Sequence, residues 1–321
     1  MSFLREVQLG NEFGAFVVLQ EALGFIPNLL RAQTLLPRVI EAQAKLEMAV
    51  RPRQGAISSV QKERMLLSVA ANREDSYCVA LESKVLSSLG VPDSQLDDFL
   101  NDYIHAGLSA PDLACLQFCI KLSCHALSIS SKDIEVLRAW GFEDESILEA
   151  VFVTALAVYR CTLSVGLAPE PDFGSRKCPS TRFDPPHKAV VEGLSPKAHT
   201  TDRKGPYVSA PYLSPKRFAP FSIVQQSHGF IPNFFRAQTL RPDLLGAELE
   251  AEGRILQPED VLTRMQKECI LLAVSAANLN SYCVAVHCNL LRGLGMPPEE
   301  GDQIAVDHHQ SGLSEADKAL V

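Results

Sequence analysis

Three residues in the C-terminal third of the chain have types and spacing that suit thiol chemistry. Glu268 precedes Cys283 by 15 positions, and His287 follows Cys283 by 4. On a helix, positions four apart share one face, so Cys283 and His287 stand within reach of each other. Glu268 falls on the preceding helix, whose antiparallel return brings it alongside. An imidazole can take the proton of a thiol, and a carboxylate can orient or recharge that imidazole. The thiolate is the reactive species, so this neighbourhood matters more than the cysteine alone. The opposing reading is that a Cys and a His at helical spacing serve packing and surface.

The elements that must position these residues are written twice. Gly-Phe-Ile-Pro-Asn at 24–28 recurs at 229–233, and each copy is followed by Arg-Ala-Gln-Thr (31–34 and 236–239). Gln-Lys-Glu at 61–63 recurs at 266–268, and Ser-Tyr-Cys-Val-Ala at 76–80 recurs at 281–285. The offset is 205 throughout (229 − 24, 268 − 63, 283 − 78). So long a period means a duplicated domain rather than a stacked repeat array. We read a complete first domain over 1–168, a Pro-rich linker over 169–211 and a second domain over 212–321. The second copy reads as truncated, because the last two helices of the first have no counterpart in it. A domain lacking them is expected to leave an apolar face open.

Apolar periodicity predicts helices over 60–71, 76–89, 130–140 and 144–164, the last nearly all apolar between 151 and 158. Ser109-Ala110-Pro111-Asp112 is a helix start, a Ser cap followed by proline and an acid in the first turn. Gly90 marks a helix stop. No alternating strand pattern is evident, so the predicted fold class is all-α. Pro27 and Pro232 suit a first helical turn, which makes Gly-Phe-Ile-Pro-Asn a turn into a helix rather than a ligand loop.

Composition narrows the function classes. Apolar content of 46% and charged content of 21% are ordinary for a chain that buries a core. A net charge of −8 argues against a nucleic-acid binder. No run of 18 apolar residues suggests a membrane span, and the first eleven residues lack the apolar stretch of a signal peptide. Nine cysteines without a secretory signal read as reduced thiols, so a cytoplasmic location is expected.

Glu–x14–Cys–x3–His, with a Lys-Glu helix before it and Tyr-Cys-Val-Ala around the cysteine, resembles the AhpD-like superfamily. The more specific likeness is to its carboxymuconolactone decarboxylase-like, peroxidase-related branch, which the Gly-Phe-Ile-Pro-Asn, Gly107-Leu108-Ser109 and Gly141-Phe142 segments also fit. The resemblance covers nearly all of the first copy and the second copy as present. It implies two helical-bundle domains packed as an intrachain pseudo-dimer, with homo-oligomers possible in principle. Redox members carry Glu, then Cys-x-x-Cys-x-x-x-His, with the two thiols cycling between dithiol and disulfide. Carried over, Glu268 is the proton acceptor or relay, Cys283 the more C-terminal motif cysteine and His287 the relay partner. The first motif cysteine falls at Asn280. In the first copy the four positions are Glu63, Asp75, Cys78 and Glu82, a degenerate site without the first cysteine or the histidine.

One thiol per site leaves no Cys-x-x-Cys disulfide, so a sulfenic acid at Cys283 or Cys78 needs a resolving thiol from elsewhere. Cys288 lies five residues on and faces away from Cys283, and Cys269 adjoins Glu268 but points apart from it. Glu82 is expected to raise the Cys78 thiol by like-charge repulsion. Cys115 and Cys119 share one apolar helix face while Cys124-His125 do not, so they read as small buried hydrophobes rather than a metal cluster. Cys161 lies in the apolar last helix and Cys178 in the linker. His308-His309 sits near a helix end without a recognisable partner.

Three functions follow. The first is a peroxidase-related thiol oxidoreductase of peroxiredoxin or alkylhydroperoxidase type, acting on a small-molecule peroxide or organic substrate with an external thiol reductant. The second is a non-redox decarboxylase or lactone-processing enzyme in which Glu268 and His287 do acid–base work. The third is a catalytically silent helical scaffold. None calls for a cofactor, a metal, nucleic acid or a membrane.

Overall fold

The structure, a computed structural model, describes residues 3–51, 55–174 and 207–321. Among them every regular element is a helix. Two compact units form: Met1–Tyr212 with Ala237–Ala251, and Leu213–Arg236 with Glu252–Val321. These units do not follow the repeat boundaries, because Ala237–Ala251 belongs to the second copy in sequence but packs within the first unit.

In the first unit, α1 spans Gly14–Leu23, α2 Asn28–Arg31, α3 Pro37–Val50, α4 Ser59–Asn72 and α5 Ser76–Ser88. Then come α6 Asp93–Asn101, α7 Ala110–Cys124, α8 Ser131–Ala139 and α9 Asp144–Leu167. Helix α4 is central and packs against α5, α7 and α9. That is why Met65, Leu66, Leu67, Val69, Ala70 and Ala71 are all buried: the helix has apolar neighbours on nearly every side. Helix α9 is long and apolar enough by composition to cross a bilayer, with a mean hydropathy of 1.7 over its best window. Its buried Glu149 and Arg160 are nonetheless ion-paired inside the bundle, to Lys62 at 2.6 Å and to Glu82 and Glu47 respectively.

The helix starts and stops are set by local chemistry. Ser58 and Gln61 form a reciprocal cap on α4, Gln61 N donating to Ser58 Oγ at 3.3 Å and Ser58 N to Gln61 Oε1 at 2.7 Å. Ser109 caps α7 through Asp112 N. Gly90 closes α5 at φ 89°, a left-handed conformation that suits a residue without Cβ. Pro27 stands at the cap of α2, one position before the helical turn the sequence suggested for it.

In the second unit, α10 spans Pro220–His228 and α11 Asn233–Arg236. Helix α12, Pro242–Leu256, begins in the first unit and ends in the second. It is followed by α13 Arg264–Ala277, α14 Ser281–Gly293, α15 Pro298–Asp307 and α16 Glu315–Leu320. Helix α13 carries the same reciprocal cap, Thr263 with Gln266. Its outer face differs from that of α4. Val69 is fully buried at 0% exposure, whereas its counterpart Val274 is 51% exposed. An apolar position that is buried on α4 is therefore half open on α13.

Of the linker, residues 175–206, including Cys178, lie outside the described residues. Its described ends are held on the first unit: Asp172 accepts from Asn28 N at 2.9 Å, and Tyr207 donates to the Ile129 carbonyl at 3.2 Å.

Candidate functional site

Cys78 and Cys283 occupy the same place, the third residue of a helix that follows a tight turn. In each copy the residue before the cap, Glu74 or Leu279, takes a left-handed conformation (φ 58° and 53°), which costs backbone energy in a side-chain-bearing residue. The cap itself, Asp75 or Asn280, then accepts the cysteine backbone N–H, at 3.1 Å for Cys78 and 3.2 Å for Cys283. The cap thus holds the position that the redox motif gives to a first cysteine.

In the second unit the structure brings Glu268 and His287 together. His287 Nδ1 lies 2.8 Å from Glu268 Oε2, and Arg264, one turn back on α13, pairs with Oε1. A carboxylate can only accept, so Nδ1 carries the proton and Nε2 is left as the basic nitrogen. Glu268 is fully buried while His287 is partly open, a hidden acid orienting a reachable base. Cys283 lies one turn from His287 on α14, yet among the described residues no hydrogen bond joins them. Burial pushes the Cys283 thiol up, the charge of Glu252 adds to this, and the Asn280 side chain opposes it.

Glu252 is a residue that the motif reading missed. It lies at the end of α12, where burial pushes its carboxyl up to about 7, with Arg264 opposing and Glu268 reinforcing the shift. The repeat offered a signal for it: Glu47 occupies the same position in the first copy (252 − 205 = 47). His228, at the end of α10, is held below the usual imidazole range by burial and by Arg264.

The first copy uses the corresponding positions differently. Glu82, in the histidine's place, belongs to a buried network with Glu47, Glu63, Arg51 and Arg160. Arg51 reaches Glu63 at 2.6 Å and Glu82 at 3.1 Å, and it also pairs with Glu47; Arg160 reaches Glu47 at 3.3 Å and also binds Glu82. Burial drives the Glu82 carboxyl up, against the pull of Arg51. The Cys78 thiol is raised as expected, but the expected cause is the smallest one. A hydrogen bond with Cys161 comes first, then burial, then Asp75, with Glu82 last. In this copy a second thiol outside the motif does lie close by, because α9 lays Cys161 beside Cys78 within the interior.

The remaining candidates fall to packing. Cys115 and Cys119 are buried together in the core, while Cys124 is exposed and accepts from Asn72. Cys269 and Cys288 lie in the core of the second unit. The rings of His308 and His309 meet at a tilt of 41°, centroids 4.0 Å apart.

An all-α bundle carrying a Glu–His pair on the helices before and around a capped cysteine defines the class of this site. Residues 242–320 match the carboxymuconolactone decarboxylase family. No curated protein matches the chain. Among solved structures the chain is similar to the alkylhydroperoxidase AhpD core, an uncharacterized peroxidase-related protein from Ralstonia eutropha. Identity there is 20%, over 53% of this chain and 92% of that one, with a TM-score of 0.49. It is also similar to an uncharacterized peroxidase-related protein from a Silicibacter species, at 24% identity, over 49% and 82% of the two chains, with a TM-score of 0.46.

Proposed function

We propose that the protein is a thiol oxidoreductase that reduces a small hydroperoxide at Cys283. The observation that supports this most is the Glu268–His287 pair, built on the cysteine's own helix and on the helix before it. The Cys283 thiol is held up, so at rest it keeps its proton and needs a base to react. His287, oriented by Glu268, is that base. Sulfur attacks the terminal peroxide oxygen: the O–O bond breaks, an S–O bond forms, and the thiol proton leaves through the histidine to the departing alkoxide. The products are a sulfenic acid and an alcohol. One external thiol converts the sulfenic acid to a mixed disulfide and water; a second releases Cys283 as the thiol and departs as a disulfide.

Steady-state peroxide consumption with a small thiol reductant tests the proposal. Wild type is expected to turn over and Cys283→Ser to lose the activity; equal rates in the two would refute it.

A second reading draws on Glu252. A carboxyl pushed up to about 7 beside a Glu–His pair suits acid–base work at neutral pH without redox change. On that reading a decarboxylase or lactone-processing activity survives Cys283→Ser and is lost in His287→Ala.

A further inference from the structure

Within the first unit, Asp75, Cys78 and Cys161 are all buried, and one carboxylate oxygen and the two sulfurs lie within 4.8 Å of one another. Two helices deliver them: Cys78 and its cap Asp75 from the start of α5, and Cys161 from the last third of α9. None of the three takes part in the chemistry proposed for Cys283.

Asp75 is built in a way that capping does not require. Its Oδ1 accepts both the Cys78 backbone N–H at 3.1 Å and the Ser164 hydroxyl at 3.0 Å. Its Oδ2 is buried and makes no hydrogen bond. The second copy caps the same turn with Asn280, a neutral side chain using one oxygen. A buried carboxylate oxygen without a donor is costly unless a cation faces it. Here the carboxylate shares its space with two sulfurs, and thiolates are the ligands soft divalent metals prefer. Tetrahedral zinc with Zn–S bonds of about 2.3 Å holds sulfurs about 3.8 Å apart, so small side-chain shifts would close the site. The two donors on Oδ1 play the outer-shell part that orients a ligating carboxylate. Asp75 and Ser164 also line a cavity of about 310 Å³, shared with Tyr77 and Asp172.

We propose that Asp75, Cys78 and Cys161 form a binding site for a soft divalent cation, zinc by ligand type. The ion would turn both thiols into thiolates and tie α5 to α9. The second copy has Asn280 and Cys283 at the first two positions and serves as an internal comparison.

The test is cobalt titration of the full-length, metal-free, reduced protein, read by thiolate-to-cobalt absorption and followed by zinc competition. Wild type, Cys124→Ser and Cys283→Ser are expected to bind one equivalent at this site. Cys161→Ser is expected to lose the band. Asp75→Asn keeps the cap, as Asn280 does, and is expected to weaken binding at least about tenfold, the scale that even an outer-shell ligand loss costs. Circular dichroism confirms that each variant is folded, and Asp75→Asn carries the test if a cysteine variant is not. No binding by reduced wild type, or binding unchanged in both Cys161→Ser and Asp75→Asn, would overturn the site. So would a Cys78–Cys161 disulfide in the isolated protein, seen as the loss of two hydrogens in mass with no metal bound. Loss of binding in Cys283→Ser alone would move the metal to the second copy.

Discussion

His287 donates through Nδ1 to Glu268 at 2.8 Å, whereas Glu82, which holds the histidine's place in the first copy, is gripped by Arg51 and Arg160. At matched positions Glu82 stands for His287 and Arg51 for Leu256, and the two sites differ as a buried ion network and a reachable base. The duplication keeps the helix caps, the tight turn and the cysteine, and it changes what surrounds the sulfur.

If His287 is the base, His287→Ala lowers peroxide turnover by about 100-fold or more, the usual scale for general-base loss. Glu268→Gln lowers it less, because the amide still meets the imidazole but no longer stabilises its charged form. Steady-state rates at saturating peroxide separate the two variants.

Glu252 sets a pH dependence. With its carboxyl pushed up to about 7, the folded protein holds a proton that the unfolded chain, with a carboxyl near 4.3, has already released. This group's contribution to stability is present below the ordinary carboxylate pKa and is lost as pH rises through about 7. Melting temperature measured between those limits is expected to fall more steeply in wild type than in Glu252→Gln.

The same carboxylate helps hold the Cys283 thiol up. Glu252→Gln is therefore expected to lower the pH midpoint of Cys283 alkylation toward that of an ordinary cysteine. An unchanged midpoint would leave burial alone as the cause.

The arginines of the first copy are predicted to be structural. Arg160→Ala leaves Glu47 and Glu82 with one cation between them and is expected to cost about 3–5 kcal/mol in denaturant melts. Lys45, whose ion pair with Glu250 is exposed, is expected to cost less than about 1 kcal/mol on replacement by Ala.

Much of the fold was legible because it is set by local rules. The start at Ser109, the stop at Gly90 and the helices expected over 60–71 and 144–164, observed over 59–72 and 144–167, follow from caps and apolar spacing. Glu268 and His287 were legible as a pair because helical spacing and an antiparallel return suffice to bring them together. Three features were not. Cys161 meets Cys78 across 83 residues (161 − 78), a packing relation that no local pattern encodes. Glu252 draws its raised pKa from burial, which spacing alone does not reveal. The passage of α12 from one compact unit to the other depends on tertiary contacts that the 205-residue offset leaves silent.

The central claim is that Cys283 is oxidised with help from His287, and trapping the sulfenic acid with dimedone after a single pulse of hydroperoxide tests it most directly. Peptide mass spectrometry is predicted to find the adduct at Cys283 in wild type, at much lower yield in His287→Ala, and not at Cys78 in either. Equal labelling of Cys283 in the two proteins, or none in wild type, would contradict the account.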